Sequence, residues 1–224
     1  MASVKQNLWR VRVVLGAALG VFGGSMHPRG HLAQRLVDPK WLPGHSMAAV
    51  GFLVLSLGLA RYRRAAAPDE RTRWWARAAT VTMALEAVEM TVHTLAYVDA
   101  GALPATAFHA GMATPVLTTH LWMATLIYPL SGLTLIGLIW TGIRQRSLGS
   151  PWIGWIGMIG AAAHAAVMPL VFLLRVPEAG ILFPLMTLFT TLWFVLAGVW
   201  PKRQGRHRFA APAEPIRAEV PQPA

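Results

Sequence analysis

The chain has 224 residues, 55% of them hydrophobic and only 13% charged, with a mean hydropathy of +0.47 and a net charge of +11. Such a composition has too little polar surface to cover a soluble domain and points to a polytopic membrane protein. The lack of cysteine excludes disulfides, thiolate metal ligands and cysteine nucleophiles.

A membrane-crossing helix needs roughly 20 consecutive, mostly apolar residues. The first such segment, 8–26, has the basic residues Lys5, Arg10 and Arg12 at its N-terminal end and runs into Gly-Gly-Ser-Met-His. A basic start and an apolar run are also the signature of a signal peptide, but no Ala-x-Ala site follows, so we expect it to be retained as a span. The connection 27–43 carries His27, His31, Pro28, Gly30, Pro39 and Pro43 and leads to His45 in the first turn of a second span, 44–61. Pro28 and Gly30 oppose a helix through His27 and His31. For the connection histidines, His109 included, the plain expectation is contact with lipid headgroups.

The third span, 76–98, contains Glu86, Glu89 and His93, and the connection before it, with its flanks, holds Arg61, Arg63, Arg64, Arg71, Arg73 and Arg77. At 100° per residue, Met83, Glu86, Met90, His93 and Tyr97 share one face with Glu89 at its edge, while Leu85, Val88, Val92 and Leu95 point away. The polar stripe is therefore expected to face the bundle interior, because a charge at the membrane centre costs several kcal/mol (roughly 2.5–3.5 on insertion scales). The fourth span, 116–143, carries His120, then Ala124, Ser131 and Thr134 on the same side, with Pro129 expected to kink it and open a cavity. The fifth, 152–174, places Gly157, Gly160, Ala161, His164 and Met168 on one face, where small residues admit a neighbouring helix or a flat cofactor. The sixth span is 180–200, and the Pro/Ala-rich stretch 203–224 is expected to be a disordered tail.

These segments define an all-α, six-span bundle over residues 1–202. None alternates with period 2, so a β-barrel is not expected. With the N-terminal group, the second and fourth connections (Arg144 and Arg146 in the latter) and the tail (Lys202, Arg203, Arg206, Arg208, Arg217) on one side, only Arg29, Arg35, Lys40 and Arg175 fall on the other. The positive-inside rule then puts both termini in the cytoplasm. The excess of Arg over Lys suits a high-GC bacterial genome and hence a bacterial plasma membrane. The basic residues are divided among short loops and a Pro-rich tail with no recognition motif, so the partner expected is the lipid bilayer and not nucleic acid. Trp74, Trp75, Trp140, Trp152, Trp155 and Trp200 fall at the inner boundary and Trp41 at the outer one, as in an aromatic belt.

With this orientation, every histidine except His207 lies at or above the membrane midplane. At 1.5 Å per residue, His93 and His120 both sit roughly 6 Å inside the outer boundary. Two layers are expected: an outer one of His45, His93 and His120, and a deeper one of Glu86, Glu89 and His164. Imidazole with carboxylate suits zinc or non-haem iron, with His45, Glu89, His93 and His120 as candidate metal ligands. Histidine with the nearby methionines (Met26, Met47, Met90, Met112, Met123, Met168) suits copper, although most of these are expected to be packing residues. Two imidazoles from different helices suit haem b, with His93, His120 and His164 as candidates. No HExxH, ExxH or CxxCH spacing is present. The same Glu86 and Glu89 can also serve as an acid–base pair acting on a small hydrophobic ligand such as a lipid or isoprenoid, or as a proton relay in a transporter. Two further readings stand beside these: a non-catalytic subunit of a membrane complex, and a polar network that only pins helix packing.

Overall fold

A computed structural model describes residues 2–28, 38–101 and 115–200. His31, His109, Met112, His207 and the 203–224 tail lie outside the described residues. Among those described, six long helices account for nearly all of the chain: α1 (Ala2–Ser25), α2 (Trp41–Ala65), α3 (Glu70–Gly101), α4 (Pro115–Gln145), α5 (Pro151–Met168) and α6 (Leu182–Val199). Prolines mark the boundaries. Pro115 and Pro151 open α4 and α5, where a missing N–H costs nothing, and Pro68 lies in the short link after α2.

Five helices are long and apolar enough to cross a membrane: α1, α2, α4, α5 with the turn that follows it, and α6 with the turn that precedes it. The 32-residue α3 is the longest, but Glu86, Glu89, His93 and the threonines at 80, 82, 91 and 94 lower its apolar character. Where six spans are expected, the described residues form six long helices, of which five are apolar enough to cross a membrane on their own. The helices also run past the expected boundaries. α3 begins at Glu70 instead of 76 because Asp69 caps it, its Oδ1 accepting from the Thr72 amide at 2.7 Å.

Each helix packs on the next in sequence, and α6 returns to α1, closing a ring. Hydrogen bonds fix which ends meet. Arg10 donates to the Trp200 carbonyl at 2.5 Å, Tyr62 Oη meets Ser147 Oγ at 3.2 Å, and Thr72 donates to Gln145 Oε1 at 2.8 Å. The start of α1, the end of α6 and the arginine-rich α2–α3 and α4–α5 links therefore share one end of the bundle. In that half, all six helices contribute to one apolar core around Trp9, Leu59, Met83, Leu138, Ile153 and Trp193.

Glycine sets the close approaches. A Cβ on Gly16 or Gly51 would lie 2.9 Å or less from backbone of the partner helix, so α1 and α2 meet main chain to main chain. The small face expected on span five is used the same way. Gly157 lies against the Trp193 ring and Gly160 against the Phe189–Thr190 backbone, so a helix, α6, occupies that face and not a flat cofactor.

α4 continues through Pro129, whose ring removes the bond that the Thr125 carbonyl would accept. The fifth segment does not remain a regular helix to 174. Pro169 cannot donate to the Ala165 carbonyl, and Pro169–Leu173 widens into a π-helical turn closed by Leu174 N–H to the Pro169 carbonyl at 3.0 Å.

Candidate metal centre

The other end of the bundle holds the polar cluster. On α3 the 3- and 4-residue spacings of Glu86, Glu89 and His93 place them on successive turns of one stripe. Met83 and Met90 on the same stripe are buried, while Leu85, Val88 and Leu95 on the opposite side are exposed, as expected. Both carboxylates are fully buried, at 0% exposure. Glu89, at the edge of the inward stripe, is as buried as Glu86 because the α3–α4 contact covers that side as well.

His120, on the second turn of α4, stacks on His93 with ring centroids 3.6 Å apart and planes 22° from parallel. Its Nδ1 lies against Glu89 Oε1. Ligand atoms of Glu89, His93 and His120 all lie within 4.8 Å of one another, the arrangement needed to share one metal ion. The two layers read from depth alone are thus corrected in one respect: Glu89 joins the outer imidazoles because its side chain reaches His120.

One turn deeper, His164 Nε2 of α5 lies 2.7 Å from Glu86 Oε1. Both histidine–carboxylate approaches are buried ion-pair contacts. Beyond them, Glu86 Oε2, Glu89 Oε2 and His164 Nδ1 have no partner among the described residues. Buried polar atoms are normally satisfied, so these three are bonding capacity that the protein's own described groups leave over.

His45 is buried beside this group, its ring 4.5 Å from that of His93. Its Nδ1–H donates to the Trp41 carbonyl at 2.7 Å, which fixes the tautomer and leaves Nε2 as a lone-pair donor with no aligned partner among the described residues. It stands next to the three-residue group without belonging to it. His27 is exposed at the rim, its ring 5.0 Å from His45. A string of imidazoles, His27, His45, His93 and His120, therefore runs from the rim to Glu89.

Trp41 is the residue that sequence reasoning misplaced. It is 1% exposed and not part of an aromatic belt. Its ring lies 4.1 Å from His45 and 4.8 Å from His93, and its indole N–H donates to the His93 carbonyl at 3.3 Å. The signal was available: Trp41 and His45 are one helical turn apart and share a face. Tyr128 was also not singled out; its ring packs edge-on against His164 at 4.9 Å. The belt reading fits better at Trp74, Trp140, Trp152 and Trp155, all exposed. Of the outer methionines, Met90 and Met168 are core residues, as the packing expectation has it.

Chemically, a carboxylate and two imidazoles with neutral nitrogen lone pairs form a borderline-hard N/O donor set suited to zinc or iron(II). A tetrahedral ion with bonds of 2.0–2.1 Å has ligand–ligand edges of about 3.3 Å. Separations up to 4.8 Å would have to shorten for the three to share such an ion. Comparison of the chain with protein-family models, curated protein sequences and solved structures finds no match.

Proposed function

We propose that this is an integral membrane protein that binds a divalent transition-metal ion in the outer half of a six-span bundle, through Glu89, His93 and His120. The observation carrying the reading is the convergence of these three ligating side chains to within 4.8 Å of one another, at a buried place where, among the described residues, the carboxylates are met only by histidine rings. His45, its tautomer fixed by Trp41, is the neighbouring imidazole available to complete or gate the shell. Zinc and iron(II) suit the donor set better than copper(I), since no methionine sulfur is needed to complete it. Haem b is disfavoured because axial imidazoles approach the iron from opposite faces of the macrocycle. His93 and His120 instead stack ring on ring, with no room for a macrocycle between them.

In this reading α3 is the sixth span, and its buried carboxylates are tolerated in the membrane because a cation neutralises them. The cytoplasm is assigned to the end holding Arg10, Arg61, Arg64, Arg73 and Arg144, following the positive-inside rule, in the plasma membrane of a bacterium. Alkaline phosphatase fused after residue 110 is then active, and fused within 66–69 inactive; the reverse pattern overturns the orientation.

A second reading has one observation in its favour. The imidazole string that ends at Glu89 also suits proton transfer from the rim, with Glu86 and Glu89 as the acid–base groups of a transporter or of an enzyme acting on a hydrophobic ligand. Elemental analysis and an absorption spectrum of protein purified without chelators separate the readings. Metal binding requires about one zinc or iron per chain or more, lost in His93→Ala and retained in His207→Ala. Neither metal nor a Soret band leaves the proton-transfer reading.

A further inference from the structure

We infer that Glu86 and His164 form a second cation position beside the first, so that the centre is dinuclear. The inference rests on the metal-binding reading above and deepens it. Four observations carry it.

The first is the contact itself. His164 Nε2 and Glu86 Oε1 form an ion pair at 2.7 Å, and both side chains are at least nine-tenths buried. One turn outward, Glu89 is paired with His120 in the same way, there through Nδ1. The second is the bonding capacity left over: Glu86 Oε2 and His164 Nδ1 have no partner among the described residues. Another donor lies at the same depth. Thr82 Oγ1 meets Thr134 Oγ1 at 3.0 Å, which sets the antiparallel register of α3 and α4 and puts Ser131, one turn outward, at about the level of Glu86. Ser131 Oγ is buried and has no partner among the described residues.

The third is spacing. Residues three apart on a helix rise about 4.5 Å along the axis, close to the roughly 3.5–4 Å that separates the ions of two-metal sites. The backbone positions of Glu86 and Glu89 thus rise along α3 by a step close to the separation of two such ions. The fourth is rigidity. A Cβ on Gly132 would overlap the backbone of Ala161 and Ala165, so α4 and α5 touch main chain to main chain there. That contact holds His164 at a fixed distance from α3 and α4.

The donor set again favours zinc or iron(II), by its mixture of imidazole nitrogen and carboxylate oxygen. Two divalent ions would carry +4 against −2 from the two carboxylates, so the centre would also take up oxygen anions from solvent or substrate to a total of −2, the donor type that two-metal hydrolytic chemistry uses.

The test uses the full chain in detergent, loaded with zinc, with metal content measured per chain and zinc-edge X-ray absorption recorded. Two zinc ions per chain and a metal–metal scattering shell at about 3.5–4 Å are expected. His164→Ala and Glu86→Gln should each reduce the content to one ion and abolish that shell. One ion in the wild type, unchanged by His164→Ala, overturns the second position and leaves the Glu89–His93–His120 site standing. No ion in the wild type overturns both. Because the wild-type stoichiometry and scattering decide by themselves, the test survives failure of either variant to fold.

Discussion

Replacing Glu89 and His120 together by apolar residues of similar size, Glu89→Met with His120→Leu, separates a ligand site from a packing device. The pair is a buried ion pair, and Glu89 Oε2 has no further partner among the described residues. An unsatisfied buried polar group costs about 1–3 kcal/mol. Exchanging a buried ion pair for well-packed apolar side chains is often neutral or stabilising by about 1–4 kcal/mol. In a chelator the double variant should therefore be as stable as the wild type or more so, by up to several degrees in melting temperature at roughly 2–4 °C per kcal/mol. Zinc should reverse the order. At a concentration 100 times the dissociation constant it adds about 2.7 kcal/mol to the wild type and nothing to a protein without the site. The assay is thermal unfolding in detergent, with and without zinc, followed by circular dichroism. A double variant less stable than the wild type in chelator by more than about 2 kcal/mol, with no zinc response in either protein, would refute the reasoning. The pair would then be holding the helices together, since breaking structural polar networks costs on that scale.

Trp41→Phe keeps the ring contacts with His45 and His93 but deletes the indole N–H to the His93 carbonyl. Zinc affinity by competition titration should fall about tenfold, the lower end for groups that orient a ligand. Gly132→Ala drives a methyl into the Ala161–Ala165 backbone and should lower stability by about 1–3 kcal/mol, whereas Gly20→Ala, with open space at its Cβ, should be neutral or slightly stabilising; thermal melts compare them. The Asp69 carboxyl is held below its ordinary range by the Thr72 amide and hydroxyl, with Gln145 and Arg73 adding to this. A depressed native value means its contribution is present above the unfolded-state value near 3.9 and is lost as pH falls through the native one. Asp69→Ala should therefore melt below the wild type at pH 7, and the gap should close in strong acid; a gap independent of pH would contradict the capping role.

Much of the fold was legible because lipid imposes a simple rule: a long apolar run must be helical. The helix ends were less so. Hydropathy marks where lipid begins, but α3 continues to Glu70 because Asp69 caps it, and α5 loosens at Pro169 because a donor is missing. Helical periodicity found the inward stripe of Glu86, Met90 and His93, since burying carboxylates leaves one side open to them. It could not say which imidazole each carboxylate meets, because that depends on the register between helices, set by contacts such as Gly132 with Ala165 and Thr82 with Thr134. Trp41 was misread for a related reason. A tryptophan at a span boundary is usually at the lipid surface, and only the packing of α2 on α3 shows that this one covers the histidines.

The most direct measurement is anomalous diffraction at the zinc edge from crystals grown with zinc. The expected result is an anomalous peak bounded by Glu89, His93 and His120, about 2.0–2.2 Å from their donor atoms. Peaks confined to exposed positions, with Glu89 and His120 bonded only to each other, would contradict a metal centre in the bundle.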